Sequence, residues 1–305
     1  MFNNVIVYNV SFSQVMTRYL HYFHSFYMYK KRYKNWFKVL VNKMQNKYPF
    51  QAVLKNGVAV NINSGLELAT NLHGFKKNYE EIEEDVIIRN EGKPPIRLYK
   101  GFYGSIFAVF VKEEYSSLPY KGNTVVDVGA NIGDSSIYFA SNGAKKVIAL
   151  EPFPKTYEVA KKNVISNGFS DKISLVLGGI SNKAGSVLLD SELISTGSDI
   201  KHSKTKGKFK VPTFSLENIL DDYNINSAVL KMDCEGCEYD SILSSSNEVL
   251  QKFSHMSIEY HYGYHNLKKK LEGAGFKVSV SNPTYATNVI NNKKMYYGFI
   301  FAEYG

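Results

Sequence analysis

Several side chains able to take or hold a proton fall in two short stretches of the sequence. Asp233, Glu235 and Glu238 crowd one stretch, and Glu259 and His261 follow on a later one. A hydroxyl is a poor nucleophile until its proton leaves, and a positioned carboxylate or imidazole removes that proton as the new bond forms. Asp233 or Glu235 is the expected base, with Glu259 and His261 assisting. A structural role for Asp233 stays open, since it could cap the following helix or touch a cofactor. The spacing does not establish a divalent metal on these oxygens, so none is assigned. Cys234-Glu-Gly-Cys237 overlaps the acidic stretch as a C-x-x-C at a strand–helix junction, the place of a thioredoxin-type redox motif. One such pair supplies too few ligands for structural zinc.

The second constellation is the loop Asp127-Val-Gly-Ala-Asn-Ile-Gly-Asp134. Gly129, Ala130 and Gly133 are small enough for backbone N–H groups to approach a ligand, and a helix N-terminus adds partial positive charge. A dinucleotide site would read G-x-G-x-x-G, whereas this loop reads G-x-x-x-G. S-adenosylmethionine carries no phosphate and needs an acid for its ammonium group, which Asp127 is placed to supply. Glu151 follows at the spacing of a ribose-binding acid on a second strand, and Pro152 forces a turn behind it. Alone, Glu151 would read as an ordinary strand-end acid.

The elements that must position these residues alternate in type. Strands are expected at 124–127, 146–151, 172–177, 186–189, 209–211, 228–233, 255–259, 276–280 and 296–302. Helices are expected at 134–142, 154–167, 216–222, 238–253 and 266–274, with Pro154 opening one of them. Such alternation makes a mostly parallel doubly wound sheet. Residues 50–112 read as short strands and turns, with an Asn56-Gly57 hairpin, a loop at Gly92-Lys-Pro-Pro95 and an exposed acidic patch from Glu80 to Asp85.

Three blocks in order, Val126–Asp134, Val147–Pro154 and Leu230–Glu238, make the chain resemble the FkbM family of methyltransferases over about residues 95–302. The resemblance implies the Rossmann-like methyltransferase fold, an α/β sheet of seven strands with the last one antiparallel. It implies methyl transfer from S-adenosylmethionine to oxygen, commonly a hydroxyl of a sugar, a glycan or a small metabolite. By resemblance, Asp127, Gly129 and Asn131 line the methionine part and Glu151 holds the ribose. Gly179, Ile180 and Ser181 border the adenine. The cysteines stand where the family often has small apolar residues.

Composition bounds the rest. Among 305 residues the net charge is +9, and nine of the 37 basic residues precede Glu67, the first acid in the chain. The remainder therefore balances, with 28 basic against 28 acidic residues. A basic head on a neutral body suggests an anionic surface for the head or a solvated face. Residues 12–44 repeat large apolar side chains at helical spacing (Phe12, Val15, Met16, Tyr19, Tyr22, Phe23, Phe26 and Tyr27, then Tyr33, Trp36, Phe37, Leu40 and Met44), interrupted by Lys and Arg. That pattern fits one or two amphipathic helices, either lying on an anionic membrane or packed as core, the latter being the commoner fate of such a stripe. The expected divisions are a helical extension at 1–50, a strand-and-turn region at 51–95 and a catalytic domain at 96–305. Two cysteines fit a reducing compartment, and with no secretory signal and no long apolar run they point to a cytoplasmic enzyme, which the basic head could also hold at the inner membrane face. An RNA methyltransferase using the basic head, and a non-enzymatic membrane-associated protein, are the alternatives. Acceptor and oligomeric state are not legible.

Overall fold

The structure is a computed structural model that describes residues 23, 26–73, 78–82, 85–89, 92–99, 103–189, 209–287 and 294–305. The described residues divide between Glu114 and Tyr115 into two compact units.

The smaller unit begins with a helical stretch at 26–32, followed by α1 (Trp36–Met44). The expected hairpin forms from β1 (Phe50–Val53) and β2 (Ala59–Ile62), paired antiparallel across Asn56-Gly57. Helix α2 (Gly65–His73) comes next, then the antiparallel sheet β3 (Asn78–Ile82), β4 (Asp85–Arg89) and β5 (Ile96–Tyr99). Helix α3 (Tyr103–Ile106) runs into a π-helical turn at Phe107–Val111. The sequence expected only strands and turns here. Both helical pieces are short, and apolar runs of that length carry no decisive period. Tyr29, Tyr33, Val39, Ala52, Ile62, Leu68 and Leu72 form the unit's core.

That core takes up part of the aromatic stripe. Tyr33 is buried and Trp36 and Leu40 pack against the core, as does Tyr29 from outside the stripe, whereas Phe23, Phe26, Tyr27, Phe37 and Met44 are exposed. The part of the stripe from 12 to 22 lies outside the described residues. The acidic patch is corrected at one end. Asp85 is buried and ion-paired with Arg97, since a buried carboxylate needs a partner. The exposure of Glu80, Glu81, Glu83 and Glu84 lies outside the described side chains.

The larger unit is built on one sheet: β6 (Thr124–Val128), β7 (Lys146–Glu151), β8 (Ile173–Leu177), β12 (Ala228–Met232), β13 (Phe253–Tyr260), β14 (Phe276–Val280) and β16 (Lys294–Tyr304), ordered β8-β7-β6-β12-β13-β16-β14. The first five run parallel, and β16 lies antiparallel between β13 and β14. This is the expected seven-stranded Rossmann-like sheet with its last strand reversed. A short β15 (Thr284–Thr287) hairpins onto β16. A second small sheet joins β9 (Gly179–Ile180), β10 (Gly185–Leu189) and β11 (Phe209–Phe214). Central strands are buried along nearly their whole length, as a sheet covered on both faces requires.

Helices α4 (Asp134–Ser141), α5 (Pro154–Ser166), α6 (Leu216–Asp222) and α9 (His265–Gly273) fall where expected. The single helix expected at 238–253 is instead two, α7 (Cys237–Ser244) and α8 (Asn247–Gln251). Ser245 leaves the helical conformation, and the Ser246 hydroxyl accepts from the Val249 N–H to start α8. A serine run competes with helix continuation in this way. No helix among the described residues is long and apolar enough to cross a membrane.

Strand order decides where chemistry collects. β6 has β7 on one side and β12 on the other, so the chain changes direction across the sheet at β6. Ligands in open α/β sheets bind beyond the carboxyl ends of strands at such a switch point. The loop after β6, Glu151 ending β7, Asp233 after β12 and His261 after β13 all emerge at that end.

Candidate active site

The loop after β6 is shaped by left-handed backbone. Gly129, Asn131 and Gly133 have φ of 78°, 49° and 80°. Gly129 has a second constraint: a Cβ there would stand 1.8 Å from the Asp233 carbonyl oxygen. The Asp233 N–H donates to the Val128 carbonyl at 3.0 Å, so the two loops are in direct contact. From the other side, the Asn163 amide on α5 donates to the Ile132 carbonyl at 2.8 Å.

Inside the loop sits a buried ion pair. Asp127 is 0% exposed, and Lys231 Nζ stands 3.0 Å from its Oδ1. Hydroxyls of Ser135 and Ser136 donate to Oδ2 at 2.7 and 2.5 Å. Lys231 also donates to the Gly129 carbonyl at 2.7 Å and lies over the Tyr115 ring. Burial opposes the lysine's charge, but Asp127 and then Asp233 hold its pKa above the usual value. The carboxylate read from sequence as the ammonium partner is thus turned inward, locking the loop to β12 and the start of α4. Sequence reading missed Lys231. Its signal was a single charge inside the apolar run Ala-Val-Leu-Lys-Met, which a buried strand tolerates only with a partner.

Glu151 is also buried. One oxygen accepts from the Asn131 N–H at 3.0 Å and the other from the Phe153 N–H at 2.9 Å. Burial pushes its pKa up to about 8 against these two hydrogen bonds. Beside it, the Asn131 side-chain oxygen is buried and has no hydrogen-bond partner among the described residues. A buried orphan acceptor between a glycine loop and a strand-end acid fits a ligand bearing hydroxyl or ammonium donors. Ala130 and Pro152 are buried around it. Gly179 and Ile180 are buried in β9, paired in parallel with Thr213 and Phe214 of β11.

The acidic block gathers as expected, with one addition. His261 is buried, and its Nδ1 lies 3.0 Å from Oε1 of Glu238, itself 0% exposed. Its Nε2 faces Glu235 at 3.4 Å, Asp233 at 3.7 Å and Glu259 at 3.9 Å. Burial alone would lower the imidazole pKa, but Glu238, Glu235 and Asp233 drive it well above the ordinary value. Asp233, Glu235 and Glu259 remain partly open to solvent, so a carboxylate is the available base and His261 its charged neighbour. Glu238 was legible as part of the block but not as the group that orients His261. The Tyr239 hydroxyl pins the same turn, donating to the Gly263 carbonyl and accepting from the Tyr262 N–H.

The turn into α7 needs unusual backbone, with φ of 55° at Glu235 and 120° at Gly236. Cys234 and Cys237 bracket it and are joined as a disulfide. Two cysteines read from sequence as a sign of a reducing compartment are therefore bonded, because the turn brings them together.

The family description "Methyltransferase FkbM domain" matches residues 127–278. Among curated proteins, the chain is 44% identical over 59 residues to Protein arginine N-methyltransferase 1 of Saccharomyces cerevisiae, covering 19% of this chain and 17% of that protein. It is 26% identical over 163 residues to Uncharacterized protein 158B of Sulfolobus islandicus rod-shaped virus 1, covering 52% of this chain and 75% of that protein. The chain thus spans less than a fifth of the length of the yeast relative. Similar solved structures include M. capricolum TrmK in complex with S-adenosyl-homocysteine, at 17% identity and TM-score 0.39, covering 64% of this chain and 67% of that one. M. jannaschii TYW2 in complex with AdoMet matches at 17% identity and TM-score 0.35, covering 73% and 87%.

Proposed function

Residues 127–278 belong to the FkbM family of methyltransferase domains, and from that premise we propose that the chain methylates a hydroxyl of a sugar, a glycan or a small metabolite, using S-adenosylmethionine. The observation that carries this reading is the contact between two loops. Asp233 packs its backbone on Gly129, so the acidic cluster opens directly beside the cofactor loop.

When bound, S-adenosylmethionine supplies an electrophilic methyl group on a sulfonium sulfur. The orphan Asn131 oxygen and Glu151 would hold it. Gly129, Ala130 and Gly133 would shape the loop around it rather than donate to it as the sequence suggested, because their N–H groups are bonded to the carbonyls of Leu150 and Ala130. Pro152, Gly179 and Ile180 would form the walls, with Asp233 at the junction. Asp127 serves this site through Lys231 by keeping the loop in place. A carboxylate of Asp233, Glu235 or Glu259 would take the proton of the acceptor hydroxyl as that oxygen attacks the methyl group, the thioether being the leaving group that the cofactor would supply. His261 offsets the negative charge gathered there. Such general-base assistance contributes about 10²–10⁴-fold to rate.

The carboxylates at this opening disfavour a polyphosphate acceptor at close range, which supports a neutral hydroxylated substrate over RNA. The test is calorimetry with S-adenosylhomocysteine, then transfer of labelled methyl from S-adenosylmethionine to a panel of hydroxylated acceptors and RNA. Binding with transfer to a hydroxyl supports the reading. Absence of cofactor binding at about millimolar concentration, a very weak affinity, overturns it.

A further inference from the structure

The acidic cluster has a geometry that proton transfer alone does not account for. Three carboxylate oxygens face one buried imidazole nitrogen at 3.4, 3.7 and 3.9 Å. Each distance exceeds an N–H···O hydrogen bond of about 2.7–3.2 Å. They suit atoms that share an ion, because ligands each about 2.0–2.2 Å from one metal sit roughly 3–4 Å apart. Single ligand atoms of Asp233, Glu259 and His261 all lie within 4.8 Å of one another.

His261 supplies an observation independent of the acids. Its side chain is 3% exposed, and its other nitrogen is held at 3.0 Å by the wholly buried Glu238. Metal-binding histidines are oriented in this way, with one ring nitrogen fixed by a carboxylate and the other presented to the ion. The tyrosine-pinned turn behind His261 keeps the ring from rotating away.

We propose that Asp233, Glu259 and His261 form a binding site for one divalent first-row transition-metal ion, which displaces the Nε2 proton of His261 to solvent and takes over its positive charge among the acids, with Glu238 positioning the imidazole. The mixed nitrogen and oxygen donors favour Mn²⁺, Fe²⁺ or Zn²⁺ over Ca²⁺. Three protein ligands leave coordination positions open. If the methyltransferase reading holds, an acceptor hydroxyl would occupy one of them, and the ion would lower its pKa before the proton passes to Glu235, the carboxylate of the cluster that is not a ligand.

The test uses the full chain, stripped with EDTA and dialysed. Mn²⁺ binding is followed by electron paramagnetic resonance without cofactor, and Zn²⁺ by competition. About one ion per chain is expected, with Asp233→Asn, Glu259→Gln and His261→Asn each weakening binding at least about tenfold. Glu238→Gln, which removes no ligand, is expected to weaken it by about 10–100-fold. Thermal melts confirm that each variant is folded, and should His261→Asn fail to fold, the two carboxylate variants carry the test. No ion bound at about 1 mM by the folded wild type, or binding unchanged in the folded variants, overturns the proposal. S-adenosylhomocysteine binding is measured separately in EDTA. Mn²⁺ binding without S-adenosylhomocysteine binding sustains the metal site while removing the cofactor reading.

Discussion

The two halves of the site are built on opposite terms. In the glycine loop, the charged groups are already matched within the chain. Asp127 has Lys231 and two serines, and Glu151 has two backbone donors. In the acidic cluster, His261 Nε2 meets its three carboxylates only at 3.4–3.9 Å. The charges of the first half brace the loop, so damage to them should appear as lost stability. On the proposed reading the second half does the chemistry, so damage there should appear as lost activity. Asp233, Glu235 and Glu259 are partly open to solvent, which screens the charge gathered there.

The largest expected effect breaks the contact between the halves. Gly129→Ala forces a Cβ against the Asp233 carbonyl at a left-handed φ. It should cost more than about 4 kcal/mol in denaturant unfolding and abolish S-adenosylhomocysteine binding by calorimetry. Lys231→Met comes next, since it strands Asp127 as a buried charge. A loss of about 3–5 kcal/mol is expected, much of it restored in the double variant with Asp127→Asn, as a double-mutant cycle would read.

The contrasting prediction concerns Asp233→Asn and Glu259→Gln. Each should change unfolding free energy by less than about 1 kcal/mol, while methyl transfer falls about 10²–10⁴-fold. A stability loss as large as that of Lys231→Met would erase the distinction between the halves. The smallest effect sharpens it by pH. The folded pKa of Glu151, about 8, lies above the ordinary carboxylate value of 4.5, so the fold prefers its neutral form. Stability of the cofactor-free chain should therefore fall as pH rises through this window, by up to about 1.4 kcal/mol per unit, and level off above it. Glu151→Gln should flatten that slope in denaturant melts measured from pH 5 to 9.

Much of the larger unit was legible because its signals are local. Buried parallel strands read as apolar runs, and Asp127, Glu151, Asp233 and His261 each stand at or just after a strand's end. Once the strands are ordered, those residues must share one edge of the sheet. The smaller unit was less legible, since its helices are short and only part of its stripe, Tyr33 with Trp36 and Leu40, serves the core, while the equally conspicuous Phe23, Phe26 and Phe37 are exposed. The break between α7 and α8 was written in Ser244-Ser-Ser246 but outweighed by the apolar pattern around it.

The sequence by itself determined the alternation of strands and helices in the larger unit, apart from the break between α7 and α8, together with the glycine loop and the identity of the acids, since each depends on neighbouring residues and spacing. Only the tertiary structure decided their offices. Asp127 and Lys231 lie on strands far apart in the chain, and pairing across a sheet turned Asp127 inward to brace the loop. Glu238 and His261 likewise come from different elements, and only their packing aims the imidazole at Asp233 and Glu259. Burial and partner choice arise from long-range contacts, which spacing along a chain does not encode.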